Sequence, residues 1–479
     1  MKYQKIMFVL LAALICTGGT GCKDYLEANP STQVSDQVLF SNANGAQTLL
    51  NGIYSYIRER NQDVEYGTIV QFNNGFDAAG NDLIVRNSMG QLQVYYAHNL
   101  AETRADASLT ANVWAYYYTI VNNSNIILDN IDATAGDQGQ KDLIKGQALA
   151  IRGWAYFYLV RFYQQTYAIA KDMPGIPYYS KGATTVGMPR ASVSTVYTNI
   201  VNDLQSAIEL LQPMNRSFKS QINQQVAQGF LAEVYLVMED WTKAAELARA
   251  AKTGFPLMTA TTYQAGFNDW ANGEWMWAAP QTSDANFGNA SPFTLWANQT
   301  RGDRWTFDFL YVNDTFKNLF EANDIRNQFW LRTDVGLWTS SKFRDAADYF
   351  GDVVLMRSSE MFLIEAESNA RIGNETAAKT VLWQLQDQRN ASRTTSSGSQ
   401  LIEDILTERR KELYADGFAW FDLIRNQKPV HREGDHPLKP EIPARSWRFI
   451  LQLPTAEFTS NRSLTPADQN PYDGIFAGR

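Results

Sequence analysis

Histidine and cysteine are scarce. The 479 residues include three histidines, His98, His431 and His436, and two cysteines, Cys16 and Cys22. Chemistry built on imidazole has little raw material. Both cysteines fall within the first 22 residues, so the folded body holds no disulfide framework and no cysteine-ligated metal site. Positive charge is the minority, 42 Lys and Arg against 50 Asp and Glu, for a net charge of −8. A nucleic-acid binder needs a basic face, so that class is excluded. After residue 16 no apolar run reaches the ~18 residues of a membrane-spanning helix. G-x-S-x-G, H-E-x-x-H, the P-loop and G-x-G-x-x-G are all missing. The cluster His431, Glu433, Asp435, His436 lies in a proline-rich stretch that gives a metal no fixed geometry. No catalytic residue, metal or cofactor is expected. With 50 acidic residues some carboxylate pair at ~5–9.5 Å always exists, so acidity alone does not argue for glycoside hydrolysis.

Aromatic side chains, in contrast, are abundant: 13 Trp, 23 Tyr and 25 Phe. With 45% hydrophobic residues the chain can bury a large core. The N-terminus reads as an address. Lys2 and Lys5 precede an apolar stretch from Ile6 to Cys16, then small residues lead to Cys22. This resembles a bacterial lipoprotein signal, residues 1–21, with Cys22 as the lipidated first residue of the mature chain and 22–40 as a linker. Two or three acyl chains would anchor it firmly, since each buried CH₂ adds ~0.8 kcal/mol.

The body is expected to be mostly α-helical. Apolar residues recur at helical spacing over 44–60, 111–131, 138–163, 192–211, 224–238, 241–252, 353–372, 375–389 and 401–425. Ser192 is a good N-cap. Two pairs, 224–238 with 241–252 and 353–372 with 375–389, resemble tetratricopeptide units, with alanines at the crossings. Residues 62–100 and 254–350 lack this periodicity and concentrate aromatics with Asn and Asp. The second stretch holds seven of the thirteen tryptophans. The last 52 residues contain seven of the fifteen prolines, which implies a tail wrapped over the surface.

A specific resemblance follows. The segment 408–426, ERRKELYADGFAWFDLIRN, resembles the C-terminal signature of the SusD/RagB family of Bacteroidetes outer-membrane lipoproteins. LMRSSEMFLIEAESNA at 355–370, Cys22-Lys23-Asp24-Tyr25-Leu26, Leu50-Asn51-Gly52-Ile53-Tyr54, the helix Trp114 to Asn125 and the tail 449–472 are similar to family elements in the same order. The resemblance implies a SusD-like superhelix of helix pairs, with region 41–253, an aromatic-rich insert at 254–350 and a C-terminal region 351–479. It also implies a cell-surface, outer-membrane lipoprotein that captures oligosaccharide or polysaccharide for a SusC-like TonB-dependent transporter. A peptide or other nutrient is the alternative ligand, and a surface glycoside hydrolase is the third reading. Read bottom-up, the signature is structural: Glu408 and Glu412 can pair with Arg409 or with chain elsewhere, and Trp420 and Phe421 are core.

A sugar ring offers an apolar C–H face and a rim of hydroxyls. Flat aromatic rings suit the first, and amides, carboxylates and arginines the second. The two irregular stretches are therefore expected to meet on one face. The candidate ligand residues are Trp296 and Trp305, surrounded by polar neighbours, then Trp275 and Tyr96. Asp82 and Arg86 join them through the family resemblance. Trp277 and Trp330 sit among apolar residues and are expected in the core.

Overall fold

The computed structural model describes residues 36–58, 67–86, 92–98, 104–282, 286–287, 291–296, 310–333, 335–344 and 351–476. The lipoprotein signal with Cys22, and Trp305, lie outside them. The long helices are α1 Ala43–Arg58, α2 Ile69–Ala79, α3 Ser108–Asn130, α4 Gln138–Tyr163, α5 Val193–Leu210, α6 Gln224–Met238, α7 Trp241–Ala251, α8 Ser358–Arg371, α9 Glu375–Gln388, α10 Gly398–Leu413 and α11 Ala419–Arg425, with a short α12 at Thr455–Ser460 in the tail. The strands are β1 Leu83–Val85, β2 Pro174–Pro177, β3 Arg190–Ser192, β4 Trp275–Ala279, β5 Leu310–Val312, β6 Trp330–Arg332, β7 Trp338–Ser340 and β8 Val353–Arg357.

Helix starts follow local chemistry. Side chains of Asp137, Ser192, Asn223 and Asp240 each accept a backbone N–H of the first turn of α4, α5, α6 and α7. From α3 onward each scaffold helix packs on the next: α3 on α4, α4 on α5, α5 on α6, α6 on α7, α7 on α8 and α8 on α9. The two tetratricopeptide-like pairs are thus neighbours, because α7 packs directly on α8 although about a hundred residues lie between them. The fold is the expected mostly helical, helix-pair scaffold, and the sheets are small. One hydrophobic cluster runs from Phe40 to Phe476 and takes residues from regions 41–253, 254–350 and 351–479 alike.

Four local expectations are corrected. Ile69–Ala79 is a helix inside a stretch expected to be irregular; ten of its eleven residues are buried, so it shows no apolar stripe. Residues 353–357, expected to open a helix, form β8, antiparallel to β4. The helix expected over 401–425 breaks into α10 and α11, because Ala415 and Gly417 adopt φ of 63° and 94°. A Cβ at Gly417 would collide with Asn73, and Asp77 of α2 accepts the Gly417 and Ala419 amides at 2.9 Å, capping α11. Finally, the tail does more than wrap. Val430, Ile442, Phe449, Leu451, Leu453 and Phe476 enter the core.

The signature on α10 organises a buried charge network. Glu412 takes Arg357 at 2.5 Å, Arg389 at 2.9 Å and Arg326 at 3.0 Å. Glu274 bridges Arg357 and Arg389, Asp324 and Glu408 hold Arg326, and Asp416 holds Arg357 and Lys342. Burial alone would raise the Glu412 carboxyl, yet Arg389, Arg357 and Arg326 hold it well below the usual carboxylate range.

A second buried pair titrates the other way. Burial pushes the Glu233 carboxyl up to about 7 against the pull of Arg161, and burial with neighbouring Glu233 raises Glu360 further. An unfolded glutamate titrates near ~4.3. Between those values the folded chain holds a proton that the unfolded chain has released, so stability falls as pH rises through that window. Glu233→Gln is expected to lose less stability than wild type between about pH 5 and about pH 8, by on the order of 3 kcal/mol. Urea midpoints at both pH values check this; parallel curves for the two proteins would show the pair is ionised in the fold.

Candidate functional site

The two irregular stretches do meet. In the four-stranded sheet β1-β5-β7-β6, β1 from the first stretch pairs antiparallel with β5 from the second. The register sets Leu83, Val312, Trp338 and Arg332 side by side across the sheet. Asp82 precedes Leu83 at this end, and Arg86 follows β1 at the other, about 13 Å away along the strand.

The expected residues divide by burial. Trp275 and Trp296 are fully buried at 0% exposure, and so is Tyr96. In this structure they offer no face to a ligand. β4 is covered on both sides, so Trp275 is core. Trp296 ends the short helix Pro292–Leu295 and packs edge-on to Tyr414, centroids 6.0 Å apart. Polar sequence neighbours do not expose this ring: Thr339 of β7 holds the Trp296 carbonyl, and the side chain is buried. Tyr96 bonds His436 Nδ1 at 3.0 Å and lies under the Arg432 guanidinium. Asp82 is buried and clasped by Arg410, Nε to Oδ2 at 3.1 Å and Nη2 to Oδ1 at 2.5 Å. Arg86 is exposed. Trp277 and Trp330 are buried as expected, as is Trp420 of the signature.

Sequence reasoning passed over Trp338. Its ring is half-buried on β7, the strand between β5 and β6. Its indole N–H donates to Asp314 Oδ1 at 2.6 Å, and Arg332 Nη1 donates to the same oxygen at 2.7 Å. The Trp338 hydrogen bond, then Arg332, hold the Asp314 carboxyl below its ordinary range. Arg332 and Lys317 lie 5.0 and 4.9 Å from the ring centroid. An aromatic face, a carboxylate and two cations thus stand together at the sheet's accessible end. The only signal in the sequence was the polar run Thr339-Ser340-Ser341 after the ring.

His431 pairs with exposed Glu441 at 2.9 Å, and among the described residues no group of three or more His, Cys, Asp or Glu side chains is placed to hold a metal. Among them, too, no helix is long and apolar enough to cross a membrane.

Two family models match this chain. One, described as starch-binding and associating with the outer membrane, covers residues 24–236, and the SusD family model covers 340–472. The chain belongs to the SusD family. SusD-like protein P2 of Formosa agariphila is 26% identical, over 97% of this chain and 99% of its own length. The crystal structure of a SusD-like carbohydrate binding protein from Bacteroides vulgatus superposes with a TM-score of 0.82 at 29% identity, covering 90% of this chain and 98% of the other. A SusD superfamily protein from Bacteroides thetaiotaomicron, 24% identical, shares the fold with a TM-score of 0.75 over 90% and 100% of the two chains. SusD-family membership also places the chain in a family associated with the outer membrane.

Proposed function

We propose that this SusD-family protein is a non-catalytic carbohydrate-binding lipoprotein, held on the cell surface through Cys22, which captures oligosaccharide or polysaccharide and delivers it to a SusC-like TonB-dependent transporter. The observation that carries the reading is its likeness, in sequence and fold over 90% of its length, to the SusD-like carbohydrate binding protein of B. vulgatus. The sheet face supports it. Trp338 supplies a flat ring, Asp314 accepts hydroxyls, and Arg332 and Lys317 donate to them. Arg86 extends the polar surface beyond the far end of β1.

The test is affinity electrophoresis through gels containing a panel of polysaccharides, with chromatography of the incubation mixtures. The protein is expected to be retarded by its cognate glycan and to release no oligosaccharide. Trp338→Ala should weaken that retention by about tenfold, the scale of one lost aromatic stack. Release of sugar products would make the protein an enzyme. Indifference to every glycan, with capture of peptides instead, would move the ligand class. Anchoring is checked separately: Cys22→Ala is expected to leave the membrane fraction and lose acyl label, and a mutant still labelled would refute the assigned cysteine.

A further inference from the structure

A cleft of about 360 Å³ opens on the helical scaffold, between α3, the segment 178–188 and the tail helix α12. None of its lining residues belongs to the sheet face described above. Its volume falls in the ~300–1,000 Å³ range of small-molecule sites.

Its aromatic wall is Tyr118 of α3 with Tyr179, backed by Trp114, which is itself buried. Trp114 and Tyr118 are one turn apart, with centroids 4.6 Å apart, and Tyr179 meets Tyr118 edge-on at 5.8 Å. The opposite wall comes from the tail. Glu457 Oε2 accepts the Trp114 indole N–H at 3.2 Å, and its Oε1 accepts the Asn461 amide at 2.9 Å. An ionised carboxylate has about four acceptor positions, so these two bonds leave Glu457 able to take hydroxyls from the cleft. Asn122 uses its carbonyl on the Ala183 amide at 2.9 Å, which leaves its NH₂ group as a donor with no partner among the described residues. Thr184 and Thr185 add exposed hydroxyls at the rim.

The walls are fixed before any ligand arrives. Asn125 donates to the Tyr179 and Lys181 carbonyls at 2.8 and 3.2 Å and accepts from Arg152 at 2.8 Å. Tyr156 binds both the carbonyl and the amide of Tyr179. Asn461 holds the Met188 carbonyl at 2.8 Å. Such a site loses little entropy on binding.

Charge selects the ligand class. The one lysine on the lining, Lys181, is paired with Asp129 at 2.7 Å. Among the described residues no cation pairs with the Glu457 carboxylate. Sulfated or uronic sugars would meet an anion and no free cation. A neutral sugar would lay C–H groups on the aromatic wall and place hydroxyls against Glu457, Asn122 and the threonines.

We propose that this cleft is a second saccharide-binding site, for a neutral sugar, separate from the sheet face. The experiment is hydroxyl-radical footprinting of the mature protein with millimolar maltohexaose, cellohexaose, xylohexaose or laminarihexaose. At least one probe is expected to protect the peptides carrying Tyr118 and Tyr179 saturably. Thr185→Trp, which fills the mouth at the cost of one rim hydroxyl and leaves Tyr118, Tyr179, Asn122 and Glu457 in place, should abolish that protection. Glu457→Gln should weaken it about tenfold, and Trp338→Ala should leave it unchanged; melting temperatures confirm folding. Protection that survives Thr185→Trp, or no protection by any of the four, overturns the proposal. Protection found at the sheet face alone and lost in Trp338→Ala also overturns it, while the family's carbohydrate reading stands. A protein that none of the probes protects and no polysaccharide retards would take down both.

Discussion

Glu412→Ala is expected to lose about 3–5 kcal/mol of stability, or to fail to fold. Glu412 is fully buried and is the point where three buried arginines converge, from the 3-10 turn at Ile325–Phe329, the end of β8 and the end of α9. The network is balanced: Arg326, Arg357, Arg389, Lys342 and Lys411 face Asp324, Glu274, Glu408, Glu412 and Asp416. Removing one anion leaves an uncompensated cation where water cannot reach it. A pair already removed from water costs more to break than it contributed when formed. Glu412→Gln keeps the volume and some of the hydrogen bonds, so it should fall between alanine and wild type. Denaturant midpoints on purified protein measure both. An alanine variant within ~0.5 kcal/mol of wild type would show that the arginines find other partners.

Arg432→Ala should be the next most damaging, at about 3 kcal/mol, and Arg432→Lys should not rescue it. The guanidinium sends five hydrogen bonds to carbonyls only: Gly80 at 2.9 Å, Tyr96 at 2.7 Å, Leu438 at 3.3 Å, and Ala78 and Ala79 at 3.1 Å. Three of these carbonyls close the C-terminal end of α2, where the helix dipole favours a cation. Among the described residues no carboxylate pairs with Arg432, and burial draws its pKa down to about 10. A lysine carries three donors and cannot span five acceptors. The expected readout is a lower melting temperature together with new proteolytic cleavage between residues 426 and 446. Intact resistance to protease in Arg432→Ala would show that the tail is held by its apolar residues alone.

The scaffold was legible because most of its helices expose one face, so their periodicity shows. α2 was hidden by the opposite condition: with neighbours on every side, Asn74 and Asp77 are buried and bonded, and no stripe remains. β8 hides in the sequence because Val353 to Arg357 fits either period, and only its pairing with β4 decides. The break at 414–418 depends on a left-handed Ala415, which no residue type announces. The signature is structural, and the arginines that its Glu412 binds lie 23 to 86 positions away, beyond the reach of any local pattern. The candidate rings fared differently. Local polarity pointed to Trp296, but burial is set by what the chain packs above it, here the Thr339 strand and Tyr414. Trp338 carried no comparable signal. The cleft went unseen because its lining comes from three separate segments, 114–125, 179–187 and 457–461.

That last separation has a kinetic consequence. Asp82 meets Arg410 across 328 positions, Asn81 meets His431 across 350, and Ala105 meets Gln452 across 347. Each of these contacts closes a loop of most of the chain, and loop closure must come before the contact contributes anything. The α2 segment therefore has to wait for the C-terminal sixth of the polypeptide. A chain emerging from its N-terminus can nucleate α3 to α7 early, but it cannot finish until its last residues are free. Truncation near the C-terminus should then act on the rate of maturation as well as on stability, leaving a slow-closing intermediate with the α2 face open.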